Sequence, residues 1–375
     1  MRELDEARAD LTKAIAHADS RGDTRAYGEA LVVLGDLEMK AGDAVTSREI
    51  LTRAAGILAD AGDEGGRGEA LRLRGMAELS LGDRPAAVAS IEEALAVARA
   101  AGNQREEAWA LQNLAWTAYE SGHAEEAENH LEASVAVFTA IGDTGGLGWA
   151  QGLLAWVKFH RGEFADAEAL ALRLLPDSGQ RGDRWAEGMM HMLVASVRMW
   201  SGRAAEAVEP AEAALAAMKR AEDHTGQVQA LGALARILLA AGRIDEGLDA
   251  VARGLAMGDE PDRPPGFSGQ PVVALLSRVA LGQPDEADAL LVEIAGGVDA
   301  LDVDAIGQSD ALLGVGLARL QAGRVEDALD ALDRMGGASD PEAHPASASA
   351  LALARAAAGD LEGVTVPAEG TLAAR

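Results

Sequence analysis

Apolar residues recur at helical spacing along most of the chain, in alanine- and leucine-rich runs that stop at glycine. LGALARILLAAG (231–242) is one such run, broken by the charge of Arg236. The stops are regular. Gly42, Gly82, Gly122, Gly162, Gly202, Gly242 and Gly282 recur every 40 residues, and Gly22, Gly62, Gly102, Gly142 and Gly182 lie midway between them. Most of these glycines precede Asp or Asn, as in Asp23, Asp43, Asp63, Asp83, Asn103, Asp143 and Asp183. Glycine takes the left-handed conformation that closes a helix, and Asp or Asn then caps the next one. The pattern therefore predicts an all-α chain, with two helices and two tight turns in every 40 residues.

Five residues after the first glycine series stands a small residue: Ala87, Ala127, Ala167, Ala207, Gly247 and Ala287, with Ala7 one period earlier and Ser47 as the exception. Between turns sit the pairs Leu34-Gly35, Leu114-Ala115, Leu154-Ala155 and Leu234-Ala235. Small residues let two antiparallel helices approach closely while the leucine fills the space beside them. In these features the chain resembles tetratricopeptide repeats of the long-helix type, and it is similar to the repeat arms of large bacterial regulators. The resemblance implies a right-handed α-solenoid of antiparallel helical hairpins whose first helices line a concave groove. It also implies binding and not catalysis.

The same ruler divides the chain. Residues 1–257 read as a regular array that starts mid-repeat, because residue 2 occupies the place of a turn glycine and residues 3–20 read as a second helix. That is the pattern of a piece of a longer protein, or of an array that begins on a lone capping helix. GDEPDRPPGFSGQP (258–271) holds four of the 11 prolines and is expected to break the stack. Less regular repeats follow over 272–363, with turn glycines Gly282, Gly323 and Gly359, and a tail over 364–375 in which a last helix fails after Pro367.

Aromatic residues are few, six Trp, two Tyr and four Phe in 375, and they cluster. On a helical projection Trp109, Gln112, Trp116 and Tyr119 fall within about 80° of one another, opposite Ala110, Leu111, Leu114, Ala115 and Ala118. One period later Trp149, Trp156 and Phe159 occupy the columns of Trp109, Trp116 and Tyr119. Met189, Ser196 and Met199 come next, with Met192 and Trp200 on the same side, and the preceding repeat offers Met76 with Arg72 beside it. By the resemblance these first-helix columns line the groove. The column of Met39, Leu79, Tyr119, Phe159 and Met199 is apolar throughout and reads as partly core, whereas that of Asp36, Met76, Trp116, Trp156, Ser196 and Arg236 varies as a binding surface does. Glu29, Asp36 and Glu69 at one end would select a positive group, with Lys158, Arg198 and Arg236 toward the other.

Composition narrows the chemistry. The net charge of −28 repels phosphate backbones, which argues against direct nucleic-acid binding. There is no cysteine, and the charged start MRELDEARAD lacks the apolar core of a signal peptide. No run reaches a membrane span, so a soluble cytoplasmic protein is the default expectation. The seven histidines form no metal-binding frame, and GDTGGLGWAQG (142–152) lacks the lysine and the preceding strand of a phosphate loop. No cofactor, metal or catalytic constellation is expected. The sequence points to a scaffold that holds a peptide or protein segment in an aromatic and methionine-lined groove, which would also suit a hydrophobic small molecule. The alternative is a ligand-sensing arm of a larger bacterial transcription or signalling regulator. The register itself is testable: Ala127→Leu should overpack its hairpin and lower the urea-unfolding free energy by about 1–3 kcal/mol, and a neutral result would refute it.

Overall fold

The computed structural model describes residues 2–258, 312, 316, 319–320, 323–334 and 345–359. Residues 259–311, and with them the expected break and Gly282, lie outside that set, as does the chain beyond Gly359. The described elements are α1 (Arg2–Ser20), α2 (Thr24–Lys40), α3 (Ala44–Asp60), α4 (Glu64–Ser80), α5 (Arg84–Ala101), α6 (Gln104–Glu120), α7 (Ala124–Ile141), α8 (Thr144–His160), α9 (Phe164–Arg181), α10 (Arg184–Trp200), α11 (Ala204–Arg220), α12 (His224–Ala240), α13 (Ile244–Gly258), α14 (Val325–Asp333) and α15 (Pro345–Ala358). No strand occurs among the described residues.

The chain forms two compact units, Met1–Leu153 and Leu154–Arg375. In the first, α1 to α7 each pack on the next, and the first helices α2, α4 and α6 also touch in a row. In the second, α9 to α13 pack in succession, α10 touches α12, and α14 packs on α15. Each unit is thus a stretch of α-solenoid built from antiparallel hairpins.

The turns work as the sequence demands. Every turn glycine from Gly22 to Gly202 in both series, and Gly242, has positive φ, between 65° and 88°. Asp23, Asp43, Asp63, Asp83, Asn103, Asp143 and Asp183 each accept a hydrogen bond from the backbone N–H three residues on. His123, Glu163 and Arg203 occupy the same position and provide no side-chain cap. At 222 the series lacks its glycine, and Glu222 itself takes φ 56°.

Close approach sets the hairpins. Ser47, Ala87, Ala127, Ala167 and Ala207 are fully buried, as are Ala115, Ala155, Ala195 and Ala235 on the first helices. A Cβ on Gly75 would sit 2.5 Å from Ile91 Cγ1 and 3.0 Å from the Ala87 carbonyl oxygen, so this crossing has no room even for a methyl group. Ser47, the exception in its column, keeps the fit by donating its hydroxyl to the Gly35 carbonyl at 2.7 Å.

A second size rule runs over two repeats. Near the ends of the second helices stand Leu58, Ala98, Phe138, Ser178 and Met218, alternately large and small and all buried. Eight residues on stand Gly66, Glu106, Gly146, Ala186 and Gly226. Each large residue fills the space its glycine leaves: a Cβ at Gly66, Gly146 or Gly226 would press on Leu58, Phe138 or Met218.

One ionic contact also keeps its register while exchanging its charges. Arg8 of α1 pairs with Glu38 of α2 at 2.7 Å, and Glu168 of α9 pairs with Arg198 of α10 at 2.7 Å. Both pairs join a second helix to the following first helix across 30 residues.

Left-handed φ costs an L-residue about 1–2 kcal/mol relative to glycine. Glu222→Gly should therefore raise the unfolding midpoint in urea, and Gly142→Ala should lower it.

Candidate functional site

In the first unit, the row formed by α2, α4 and α6 carries the variable columns seen in the sequence. Glu29 and Glu69 are exposed, and Trp109, one period further, is half-buried. Trp149 in the same column is exposed, at 40% of its full accessible area. Asp36, Met76 and Trp116 form the neighbouring column, each half-buried.

Trp109 rests edge-on against the fully buried Phe138 of α7, with ring centroids 5.2 Å apart. The glycine-rich stretch around Gly146 leaves the volume that Phe138 occupies. Within this stretch Gly146 serves packing and Gly142 closes α7 with φ 70°. Trp116 lies 5.9 Å from Tyr119, which is buried. Burial, with help from Glu120, pushes the Tyr119 phenol well above its ordinary pKa.

Glu120 stands one turn after Trp116 on α6 and is half-buried. Burial raises the Glu120 carboxyl above its usual range, opposed by nearby Arg84 and by the indole N–H of Trp116 close by. Arg84 itself donates to the Glu120 backbone carbonyl at 3.2 Å. One turn before Trp116, Gln112 is buried and its Oε1 has no hydrogen-bond donor. Arg72 is committed elsewhere: it donates to Glu106 at 2.5 Å and joins α4 to α6. Glu106 is raised by burial against the pull of Arg72.

In the second unit Trp156 is half-buried, edge-on to Phe159 at 5.8 Å and stacked with His160 at 6.3 Å. Its indole N–H is buried without an acceptor. Phe159 is buried and lies 5.6 Å from Phe164. Met192 is buried with Ala214 and Ala233, and Trp156 and Met189 pack against that cluster. Met199 and Trp200 are half-buried, each against a different core cluster. His191 is half-buried, and burial pulls its imidazole below the usual pKa.

The structure thus corrects the candidate surface. Gln112, Tyr119, Phe159 and Met192 belong to the interior, because they fill the seams of the stack. Arg72 is held by Glu106, Lys158 donates to Glu163 at 2.8 Å, and Arg198 is held by Glu168. The surface that remains is Met76, Trp109, Trp116 and Trp149 in the first unit, and Trp156, Met189, Met199 and Trp200 in the second. Sequence reasoning missed Phe138, the ring behind Trp109, whose signal is Gly146 eight positions on. Among the described residues no helix is long and apolar enough to cross a membrane, and no cluster of three or more His, Cys, Asp or Glu is placed to hold a metal.

Residues 66–140 match the family model for the tetratricopeptide repeat. Those residues are tetratricopeptide repeats, and the described array carries their architecture on the same 40-residue register from α1 to α13. No curated protein matches the chain. Among solved structures it is similar to a Rap protein complexed with competence and sporulation factor (14% identity, 89% of this chain and 96% of that one, TM-score 0.63). It is similar to NprR in complex with its cognate peptide NprX (12%, 88% and 98%, TM-score 0.55). It is also similar to a signal transduction ATPase with numerous domains from Pyrococcus horikoshii, which has a tetratricopeptide repeat sensor (12%, 92% of this chain and 55% of that one, TM-score 0.54). At these identities the likeness is one of fold.

Two variants separate packing from surface. Phe138→Ala should cost about 3–5 kcal/mol, and Trp116→Ala clearly less, by urea unfolding. Glu120→Gln tests the buried carboxyl. A carboxyl raised in the folded state holds its proton more tightly than the unfolded chain does. Its favourable contribution is therefore present at low pH and is lost as pH rises through the folded value. At neutral pH Glu120→Gln should unfold at the same or a higher urea concentration than the wild type.

Proposed function

We propose that this array is a non-catalytic scaffold that holds a peptide or protein segment on its rows of first helices. The observation that carries the reading is a change within equivalent columns. Where α2 and α4 present exposed Glu29 and Glu69, the following repeats present Trp109 and an exposed Trp149. Exposed tryptophan is costly to solvate and is the residue type most enriched at binding hot spots. Met189 and Met199 add pliable apolar surface in the second unit. A Rap protein with a bound factor and NprR with a bound peptide support the same use of this fold. A hydrophobic small molecule is the competing occupant. The charge of −28 disfavours direct contact with nucleic acid.

A second reading, a ligand-sensing arm of a larger cytoplasmic bacterial regulator, is favoured by the likeness to the sensor-bearing ATPase, of which this chain matches 55%. A nucleotide-binding or helix-turn-helix segment encoded in the same frame would support it, and a frame without one would favour the scaffold.

Capture from a lysate of the native host tests the binding reading. The wild type and a folded Trp116→Ala/Trp156→Ala double variant are compared. A peptide or protein segment retained by the wild type and lost by the variant is the expected result. Equal capture by both would move the binding surface elsewhere and leave the tryptophans as packing.

A further inference from the structure

Resting on that peptide-binding reading, we infer that Glu69 of α4 and Trp109 of α6 recognise a basic residue of the bound segment together with an apolar residue about three positions from it. The two side chains hold the same column on adjacent first helices, and those helices touch. Glu69 is exposed and Trp109 half-buried, so both reach the surface of the row.

Charge on the row formed by α2, α4 and α6 is otherwise paired. Every basic side chain of these helices has its acid. Arg25 lies 2.9 Å from Glu29 and 3.0 Å from Asp63, and Lys40 lies 2.5 Å from Asp36. Arg67 pairs with Glu64 and Glu93, Arg74 with Glu78, and Arg105 with Asp143. The acids Glu38 and Glu107 take Arg8 and Arg99 from second helices. Glu120 is outside any ion pair but has Arg84 nearby. Glu69 is in no ion pair among the described residues.

The residue best placed to neutralise Glu69 is committed. Arg72, one turn later on α4, is drawn into the α4–α6 seam by Glu106 at 2.5 Å, with 13% of its side chain exposed. Glu69 and Glu106 thus share one guanidinium between them. Burial raises the Glu106 carboxyl, and the charge of Glu69 raises it further. A ligand cation beside Glu69 relieves both. Glu29 and Asp36, which the sequence offered for the same purpose, already hold Arg25 and Lys40.

The column also sets what accompanies the cation. One period after Glu69 stands Trp109, its ring steadied edge-on by Phe138 at 5.2 Å, and one period further stands Trp149, 40% exposed. Axes of packed helices lie about 8–10 Å apart, and an extended segment advances about 3.3 Å per residue. A side chain about three residues from the one at Glu69 therefore reaches Trp109. Lysine and arginine both serve, because one exposed carboxylate imposes no fork geometry.

The test follows the indole N–H resonance of Trp109 in the full chain labelled with nitrogen-15, assigned with Trp109→Phe. The probe is the blocked peptide acetyl-Phe-Ser-Gly-Lys-Gly-Ser-Phe-amide, whose symmetry lets either chain direction fit. Its comparators carry acetyl-lysine or glutamate in place of lysine, or serine in place of both phenylalanines. The lysine peptide should shift the resonance saturably and bind about three- to fivefold more tightly than the acetyl-lysine peptide at low ionic strength, the scale of an exposed ion pair. High salt should erase that difference, and the serine peptide should bind more weakly than the parent. Glu69→Gln should remove the preference for charge, and Glu69→Lys should turn it toward the glutamate peptide, which a merely structural role would not do. An unmoved Trp109 resonance, or a lysine preference that survives in both Glu69 variants, would overturn the subsite. Equal saturable shifts by the lysine and acetyl-lysine peptides would overturn it too, while leaving peptide binding on the row intact.

Discussion

Everything in this array depends on how closely the two helices of a hairpin approach. At Gly75 the first helix lies so near the backbone of Ala87 and the side chain of Ile91 that a single added carbon has no room. Such contact gives dense packing without large side chains, which is how a chain with few aromatics buries a continuous interior. It also fixes the phase of each helix against its partner. A residue at a given column then meets the same surroundings in successive repeats, and any change in residue type along a column becomes informative.

Two such changes account for the clustering of aromatics. One is structural. Leu58, Phe138 and Met218 alternate with Ala98 and Ser178, and glycines at 66, 146 and 226 make room for the large members. Trp109 belongs partly to this scheme, because its ring edge closes over Phe138. The other is the replacement of carboxylates by indoles on the first helices, which packing does not require. Trp116 and Trp156 hold the same column, yet their neighbours treat them differently. Four residues after Trp116 stands the half-buried carboxyl of Glu120, whereas the residue four after Trp156 is His160, which stacks on its ring, and the Trp156 N–H is buried without an acceptor.

The sequence disclosed most of the fold because turns and close crossings each demand particular residues. Gly22 and Asp23 terminate and cap helices by chemistry local to those positions, so they are legible one at a time. The alternation of Phe138 with Ser178 was less visible, since it links residues 40 apart through a glycine eight positions further on. Site residues were harder to separate from core. A helical projection assigns Gln112 and Trp116 to one face, but their burial depends on how far the next first helix leans over each. Tyr119 and Phe159 were legible as partly core from an apolar column, whereas the capture of Arg72 by Glu106 required knowing which helices touch.

The turns add a mechanical asymmetry. Asp43 and Asp83 clasp the first turns of α3 and α5, but at the same position α7, α9 and α11 begin with His123, Glu163 and Arg203 and have no such clasp. These three helices are the hairpin partners of α6, α8 and α10, the first helices that carry the aromatic and methionine surface. A missing cap removes about 1 kcal/mol of local stability, so these helices hold less free energy in reserve at their starts than α3 and α5 do. The first turns of α7, α9 and α11 therefore open at lower cost than those of α3 and α5, so resistance to local unfolding varies from hairpin to hairpin although the spacing of the turns does not.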